Sequence, residues 1–223
     1  MTSSSDNAWL RAMPVVFVLI WATGFVSAKL AMPHAEPFSF LCARYAATIL
    51  CFLAWIAWAK PAWPRGRSQW VHMAITGLLM HAGYLGGVWA AIKLGMSAGL
   101  SALIVSLQPI LTAIWLSSRG SSVTKRQWLG LALGLVGLGC VLSEKFGTVE
   151  VKLAPMLWVV MALLSSTAGT LYQKAYVKPC DVRTANSVQM LGALAVSWPL
   201  ALLEPHHITW NMDTVVALAW AVL

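Results

Sequence analysis

The run Gly95-Met96-Ser97-Ala98-Gly99 fits G-x-S-x-G, the pattern that presents a serine nucleophile on a tight strand-to-helix turn, with His81 upstream as a candidate base. Acyl transfer is the chemistry that pattern would support. A second set of residues suits reversible recognition instead. His81, Tyr84 and Val88 stand at i, i+3 and i+7, the spacing of one helix face. Gln108 precedes Pro109, and Tyr172, Gln173 and Gln189 follow further along the chain. Polar groups within apolar helices turn toward the bundle interior or a water-filled cavity. There they can hydrogen-bond a polar solute, or each other as glue between helices. Trp21, Phe25 and Trp89 can supply apolar walls, and Arg44 can hold a carboxylate or send its head to the interface. The same two readings apply to Lys29, for which the interface is the better one, with Glu36 and Glu204 as candidate partners for either cation.

The elements that must carry these residues are membrane helices. About 20 apolar residues cross the roughly 30 Å hydrocarbon core. Apolar stretches lie at 13–32, 38–59, 70–93, 97–117, 127–143, 154–176 and 184–203, and another starts at 213. Hydrophobic residues make up 59% of the chain and charged ones 10%, which excludes an ordinary soluble domain. The fold class is an all-α polytopic membrane bundle. In that setting the G-x-S-x-G run falls at a turn between two helices, where small residues pack closely. No catalytic residue is expected, and a membrane-embedded serine hydrolase stays as the alternative.

The net charge of +8 does not indicate nucleic acid, because the cations sit in short loops between spans. Arg11, Lys60, Arg65, Arg67, Arg119, Lys125, Arg126, Lys174, Lys178 and Arg183 occupy alternate loops. The other loops carry Lys145 and Lys152, with Glu36, Glu144, Glu150, Glu204 and Asp213. The positive-inside rule then places the N-terminus in the cytoplasm. Cys42, Cys51, Cys140 and Cys180 form no C-x-x-C pair, and His206 and His207 beside Glu204 lack ligand spacing, so neither metal nor cofactor is expected. No Asp or Glu lies deep in a span, which leaves His81 as the obvious proton-titrating group there. Gly130, Gly134 and Gly137 form a small-residue face that suits packing inside the bundle or a homodimer seam.

The run Leu19–Lys29 overlays Leu164–Lys174, with Gly24 on Gly169 and Lys29 on Lys174. Five spans separate the copies, so the second is inverted. Inverted repeats place a substrate site near the midplane in secondary transporters. The domains read as a tail at 1–12, a first five-helix repeat at 13–143, and an incomplete second repeat at 154–223.

Several runs resemble the EamA family of the drug/metabolite transporter superfamily. Trp21-Ala-Thr-Gly-Phe25-Val-Ser-Ala-Lys29 is similar to the family's W-x-x-x-F-x-x-x-K, and Pro37 with Ala43-Arg44-Tyr45 to its proline followed by A-R-F. Ala90-Ala-Ile-Lys93-Leu-Gly95 is similar to A-L-K-Y-T, and Ser106-Leu-Gln-Pro109-Ile-Leu-Thr112 to S-L-x-P-L-x-x-A. Thr124-Lys-Arg-Gln-Trp-Leu-Gly130-Leu-Ala-Leu-Gly134 follows T-x-x-Q-x-x-G-x-x-x-G, without the family's preceding Gly-Glu pair. The resemblance implies two five-helix halves and a bacterial inner-membrane exporter of small metabolites, amino acids or drugs, working by alternating access. It also implies a fifth and a tenth helix that meet in a dimer. Since the chain reaches Leu223 only eleven residues into its eighth stretch, a non-transporting truncated fragment is the further alternative.

Orientation is directly testable. A Ser121→Cys protein in intact cells should resist an impermeant thiol reagent until the membrane is opened; modification from outside would reverse the topology.

Overall fold

A chain in hydrocarbon must satisfy its backbone donors and acceptors internally, and a helix does so within one segment. The computed structural model describes residues 4–121, 123–145 and 152–222. We number its continuous helical runs α1 Ser4–Ala31, α2 Pro37–Ala59, α3 Arg67–Lys93 and α4 Ala98–Ser118. There follow α5 Lys125–Lys145, α6 Leu153–Tyr176, α7 Val182–Leu202 and α8 Met212–Val222. The described residues contain no strand, only an isolated bridge between Ala35 and Ile208. Glu150, counted above with the acids, lies outside the described residues.

By length and composition, α2, α3, α4 and α6 each qualify to cross a membrane, and Val15–Ala31 and α8 are shorter apolar helices. The sequence leads one to expect seven such spans. The shortfall has a physical reason in α7. That helix carries Thr184, Ser187, Gln189 and Ser197, all buried, and packs on α2 and α3. A helix shielded by neighbours needs less apolar surface than one facing lipid. The first helix also starts at Ser4, ahead of the apolar run that begins at 13.

Two helices depart from regular geometry. In α4 the helix is interrupted at Ser106 and Leu107, and Pro109 sits in the first turn of the second piece, where its missing N–H costs little. In α3 a π turn spans Leu78–Gly83. The Leu79 carbonyl there accepts bonds from the Tyr84 N–H and, at 2.8 Å, from the Ser165 hydroxyl on α6.

The centre of the bundle is α3 wedged against α6 and α7, with α2 against α7. The approach of α3 relies on glycine. A Cβ on Gly77 would collide with the Gln189 carbonyl, and one on Gly192 would meet the Ala74 carbonyl oxygen at 2.5 Å. One on Gly87 would meet the Trp158 carbonyl oxygen at 2.7 Å. By contrast Gly130, Gly134 and Gly137 on α5 have nothing within 4 Å.

Both ends are laced. At the end carrying the acids, Lys93 Nζ donates to the carbonyls of Met32 and Ala35, each at 3.0 Å, and pairs with Glu36 at 3.2 Å. Glu204 accepts from the backbone N–H groups of Phe38 and Ser39, at 2.7 and 2.8 Å, and from the Ser39 hydroxyl. A carboxylate brought by α7 thus caps the N-terminus of α2 and meets its positive dipole end. At the basic end, Gln69 bonds the Lys178 backbone through both side-chain atoms, at 2.9 and 3.3 Å. Asp181 caps α7 and chelates Arg183 at 2.7 Å, and the guanidinium holds its carboxyl down to about 2.

The G-x-S-x-G run finds its place here. No strand precedes it; Gly95 takes a φ of 96° in a helix-to-helix turn, and the Ser97 hydroxyl accepts from the Leu100 N–H as the N-cap of α4.

Two outcomes follow. Ser97→Ala should lower stability by about 1 kcal/mol, the usual worth of a cap, in detergent thermal unfolding, and a serine-directed fluorophosphonate should label neither protein. Gly77→Ala should cost about 1–3 kcal/mol by overpacking, whereas Gly130→Ala should stabilise by about 1 kcal/mol through helix propensity. Equal unfolding midpoints for these two glycine variants would contradict the close α3–α7 crossing.

Candidate functional site

A cavity of about 370 Å³ lies between α1, α2, α3 and α8, a size within the range of small-molecule sites. Five of the nine candidate residues line it: Trp21, Phe25, Arg44, Tyr84 and Trp89. Helix periodicity explains the convergence. Trp21 and Phe25 are one turn apart on α1, and their rings meet edge to face at 5.0 Å. On α3, Tyr84, Leu85 and Val88 share a face toward the same space. Trp89 is buried and stacks on Phe40 of α2 at 4.8 Å, which fixes the wall. Trp220 of α8 completes the aromatic lining.

Arg44 is the one charged side chain among these lining residues. It lies about 10 Å along α2 from Pro37, at 1.5 Å per residue. Its Nε donates to the Ala221 carbonyl at 2.8 Å, and it enters no ion pair among the described residues. The expected pairing with Glu36 or Glu204 does not form. Glu36 is taken by Lys93, and Glu204 by the start of α2. The guanidinium therefore keeps donors free for a ligand, and it does so beside aromatic faces that attract cations and planar groups. Lys29 is exposed and does not line the cavity.

The other four candidates lie elsewhere. His81 and Gln189 line a second cavity of about 500 Å³ between α3, α6 and α7, together with Gln173, Lys174 and Lys178. Gln108 donates to the Thr170 hydroxyl at 2.9 Å and ties α4 to α6. The Tyr172 hydroxyl meets His72 Nδ1 at 2.7 Å, and His72 stacks on Tyr176 at 5.3 Å. Tyr84, Gln108 and Gln189 thus do not share one cavity, contrary to expectation, because α3 stands between α1 and α8 on one side and α6 and α7 on the other. Nor do His81 and Tyr84 share a face, although the spacing predicts it. The π turn between them breaks the α-helical register.

Two residues of consequence are not singled out by the sequence. Tyr45 follows Arg44 on α2; its side chain is fully buried, and its hydroxyl has no partner among the described residues. Its ring stands edge-on to His81 at 6.3 Å. The signal available was adjacency to an intramembrane arginine. His72 sits one turn inside α3 and escapes notice because its partner, Tyr172, is on another helix. His206 and His207 are exposed, and no metal-ligand cluster occurs among the described residues.

Comparison with known proteins gives the family of the chain. The EamA-like transporter family matches residues 11–143. An uncharacterised transporter of Archaeoglobus fulgidus is 23% identical over 96% of this chain and 75% of its own. A protein of Salmonella typhimurium named as a probable amino-acid metabolite efflux pump is 22% identical over 91% of this chain and 68% of its own. An inner membrane transporter of Escherichia coli is 22% identical over 86% of this chain, which spans 61% of that relative's length. The chain is an integral membrane protein and belongs to the EamA-like transporter family.

Proposed function

We propose that this chain carries small metabolites bearing a carboxylate, amino-acid-like solutes foremost, out of the cell across the bacterial inner membrane by alternating access. The observation that carries the reading is the Arg44 cavity. It offers a guanidinium with donors left over among the described residues, a hydroxyl from Tyr84 and walls of Trp21, Phe25 and Trp89, about 10 Å along α2 from Pro37 at 1.5 Å per residue. Carboxylate recognition by Arg and side-chain recognition by aromatic walls are what such a solute needs. The name of the Salmonella relative points to the same class.

The packing supports an inverted-repeat mechanism. In the register that puts Gly24 on Gly169, Arg44 falls on Gln189 and Gly77 on Val222. Exchange of the two halves maps α1 with α8 onto α6 with α3, and α2 with α8 onto α7 with α3, while α2 with α7 maps onto itself. All five pairs are in contact. The equivalence reaches single residues: Gly77 packs on the Gln189 backbone, and Arg44 meets Ala221, next to Val222. Rocking of one half on the other about α2 and α7 would expose the cavity to each side in turn. The N-terminus and the loops at 60–69, 118–126 and 177–183 would then face the cytoplasm, a reading that rests on the distribution of cations.

The test is efflux of labelled amino acids and related carboxylates from proteoliposomes. Arg44→Ala should reduce flux of the carboxylate about 10- to 100-fold, the worth of a hydrogen bond to a charged group, and Arg44→Lys should recover part of it. Flux unchanged by Arg44→Ala would remove this cavity from the pathway.

A further inference from the structure

The Arg44 cavity and the His81–Gln189 cavity are both lined by α3, and Tyr45 of α2 stands edge-on to His81 at 6.3 Å. His81 and Tyr84 are three residues apart on α3, yet they line different cavities. The π turn at Leu78–Gly83 is the cause. A π turn holds one residue more than the α-helix around it, and π bulges concentrate at functional sites. The helix on either side keeps its place while the extra residue can move along. Each residue it passes rotates by one helical step, about 100°. Movement of the fault toward Gly77 would transfer His81 from the register before the turn to the register of Tyr84 and Val88. In that register the imidazole faces the Arg44 cavity.

We propose that the π turn of α3 is a movable register fault that swings His81 between the two cavities, and that His81 thereby couples solute passage to a proton. The inference rests on the reading of the Arg44 cavity as the solute site. The present register is held by the Ser165 hydroxyl on the Leu79 carbonyl. It is opposed by the buried Tyr45 hydroxyl, which finds no partner in it. One interhelical hydrogen bond, with the close packing of Gly83 on Ser165 and of Gly169 on Leu79 and Met80, favours the present position, and a hydroxyl unmet among the described residues favours the other.

The groups that face His81 leave it as the proton carrier. From α2 come Arg44 and Tyr45, from α3 Tyr84, from α6 Lys174, from the next loop Lys178 and the Cys180 thiol, and from α7 Gln189. Helices α1 and α8 add no charged group to the Arg44 cavity, and no carboxylate lines either cavity among the described residues. Imidazole is the side chain whose unperturbed titration falls between pH 5 and 8. It takes up a proton from the water of one cavity in one register and releases it to the other cavity in the second.

The experiment uses His81→Cys in the full chain with Cys42, Cys51, Cys140 and Cys180 replaced by Ser. An impermeant methanethiosulfonate is applied to vesicles of each orientation. Residue 81 should react from the side of the 177–181 loop. Deletion of Leu78, an exposed residue before His81 in the turn, removes the extra residue and fixes the second register. Reactivity from the first side should then fall about tenfold or more, following the population shift, and rise from the opposite side. If the deletion does not fold, Ser165→Ala should raise reactivity from the opposite side with the chain intact. An unchanged side and rate of reaction in the variants that fold overturns the register switch. In parallel, the ratio of flux with and without a pH gradient should collapse to one in His81→Gln; an unchanged ratio overturns the coupling role. Absence of flux in the unmodified protein would overturn the transport reading instead, and the labelling would still decide the switch.

Discussion

A backbone carbonyl occupies the space where Gly77 would carry a side chain, and the rest of the bundle is arranged around that contact. In lipid, helices gain nothing by hiding apolar surface from one another. They associate through close packing and through satisfaction of polar groups. Glycines on α3 and α7 let two backbones meet at Gly77 and Gly192; between α3 and α6, Gly87 meets the Trp158 carbonyl, and Gly83 and Gly169 make room for the side chains of Ser165 and Met80. Once α3 is clamped there, its opposite face is committed to α1, α2 and α8. That face carries Tyr84, Val88 and Trp89. The cavity exists because the clamp is on the other side.

The same clamp explains how a bundle can afford polar residues within its spans. Thr184, Ser187 and Ser197 on α7 are buried against protein, not lipid. At the two ends, charged groups act as fasteners instead of ligands. Lys93 holds the α1–α2 loop by two carbonyls and Glu36, and Glu204 caps α2 across the bundle. Glu36 and Glu204 are thereby occupied, and Asp213 pairs with His34. Among the described residues Arg44 meets no anion, so its charge is available to what enters the cavity.

The helices and the membrane class were readable from apolar run length alone, because the bilayer fixes that length. Five residues of one cavity were readable too: three aromatics, an arginine and a tyrosine that an apolar span tolerates only where they face inward. The partners were not. Glu204 meets Ser39 across a long stretch of chain, and no local pattern couples them. His72 with Tyr172 and Gln108 with Thr170 are of the same kind. Gly77 and Gly192 carry the tightest crossing, yet the regular stripe at Gly130, Gly134 and Gly137 was the more visible one, and a Cβ there would meet nothing within 4 Å among the described residues. Spacing reports which residues share a face; it does not report what the face meets.

The placing of His81 shows where spacing itself fails. The i, i+3, i+7 rule assumes 3.6 residues per turn, and six residues of α3 depart from that period. An apolar sequence gives no warning of a π turn, because every side chain in Leu78–Gly83 is compatible with an α-helix. What stabilises the turn is remote: a serine on α6 that supplies a second hydrogen bond to one carbonyl. A helix whose local sequence is neutral between two registers takes the one that its neighbours favour, here through the Ser165 hydroxyl and the close contacts of Gly83 and Gly169. That is a different kind of constraint from the glycine crossing beside it, which admits a single arrangement. The rigid crossing and the turn are adjacent on one helix and both pack on α7, so the crossing fixes the end of α3 from which any change of register must start.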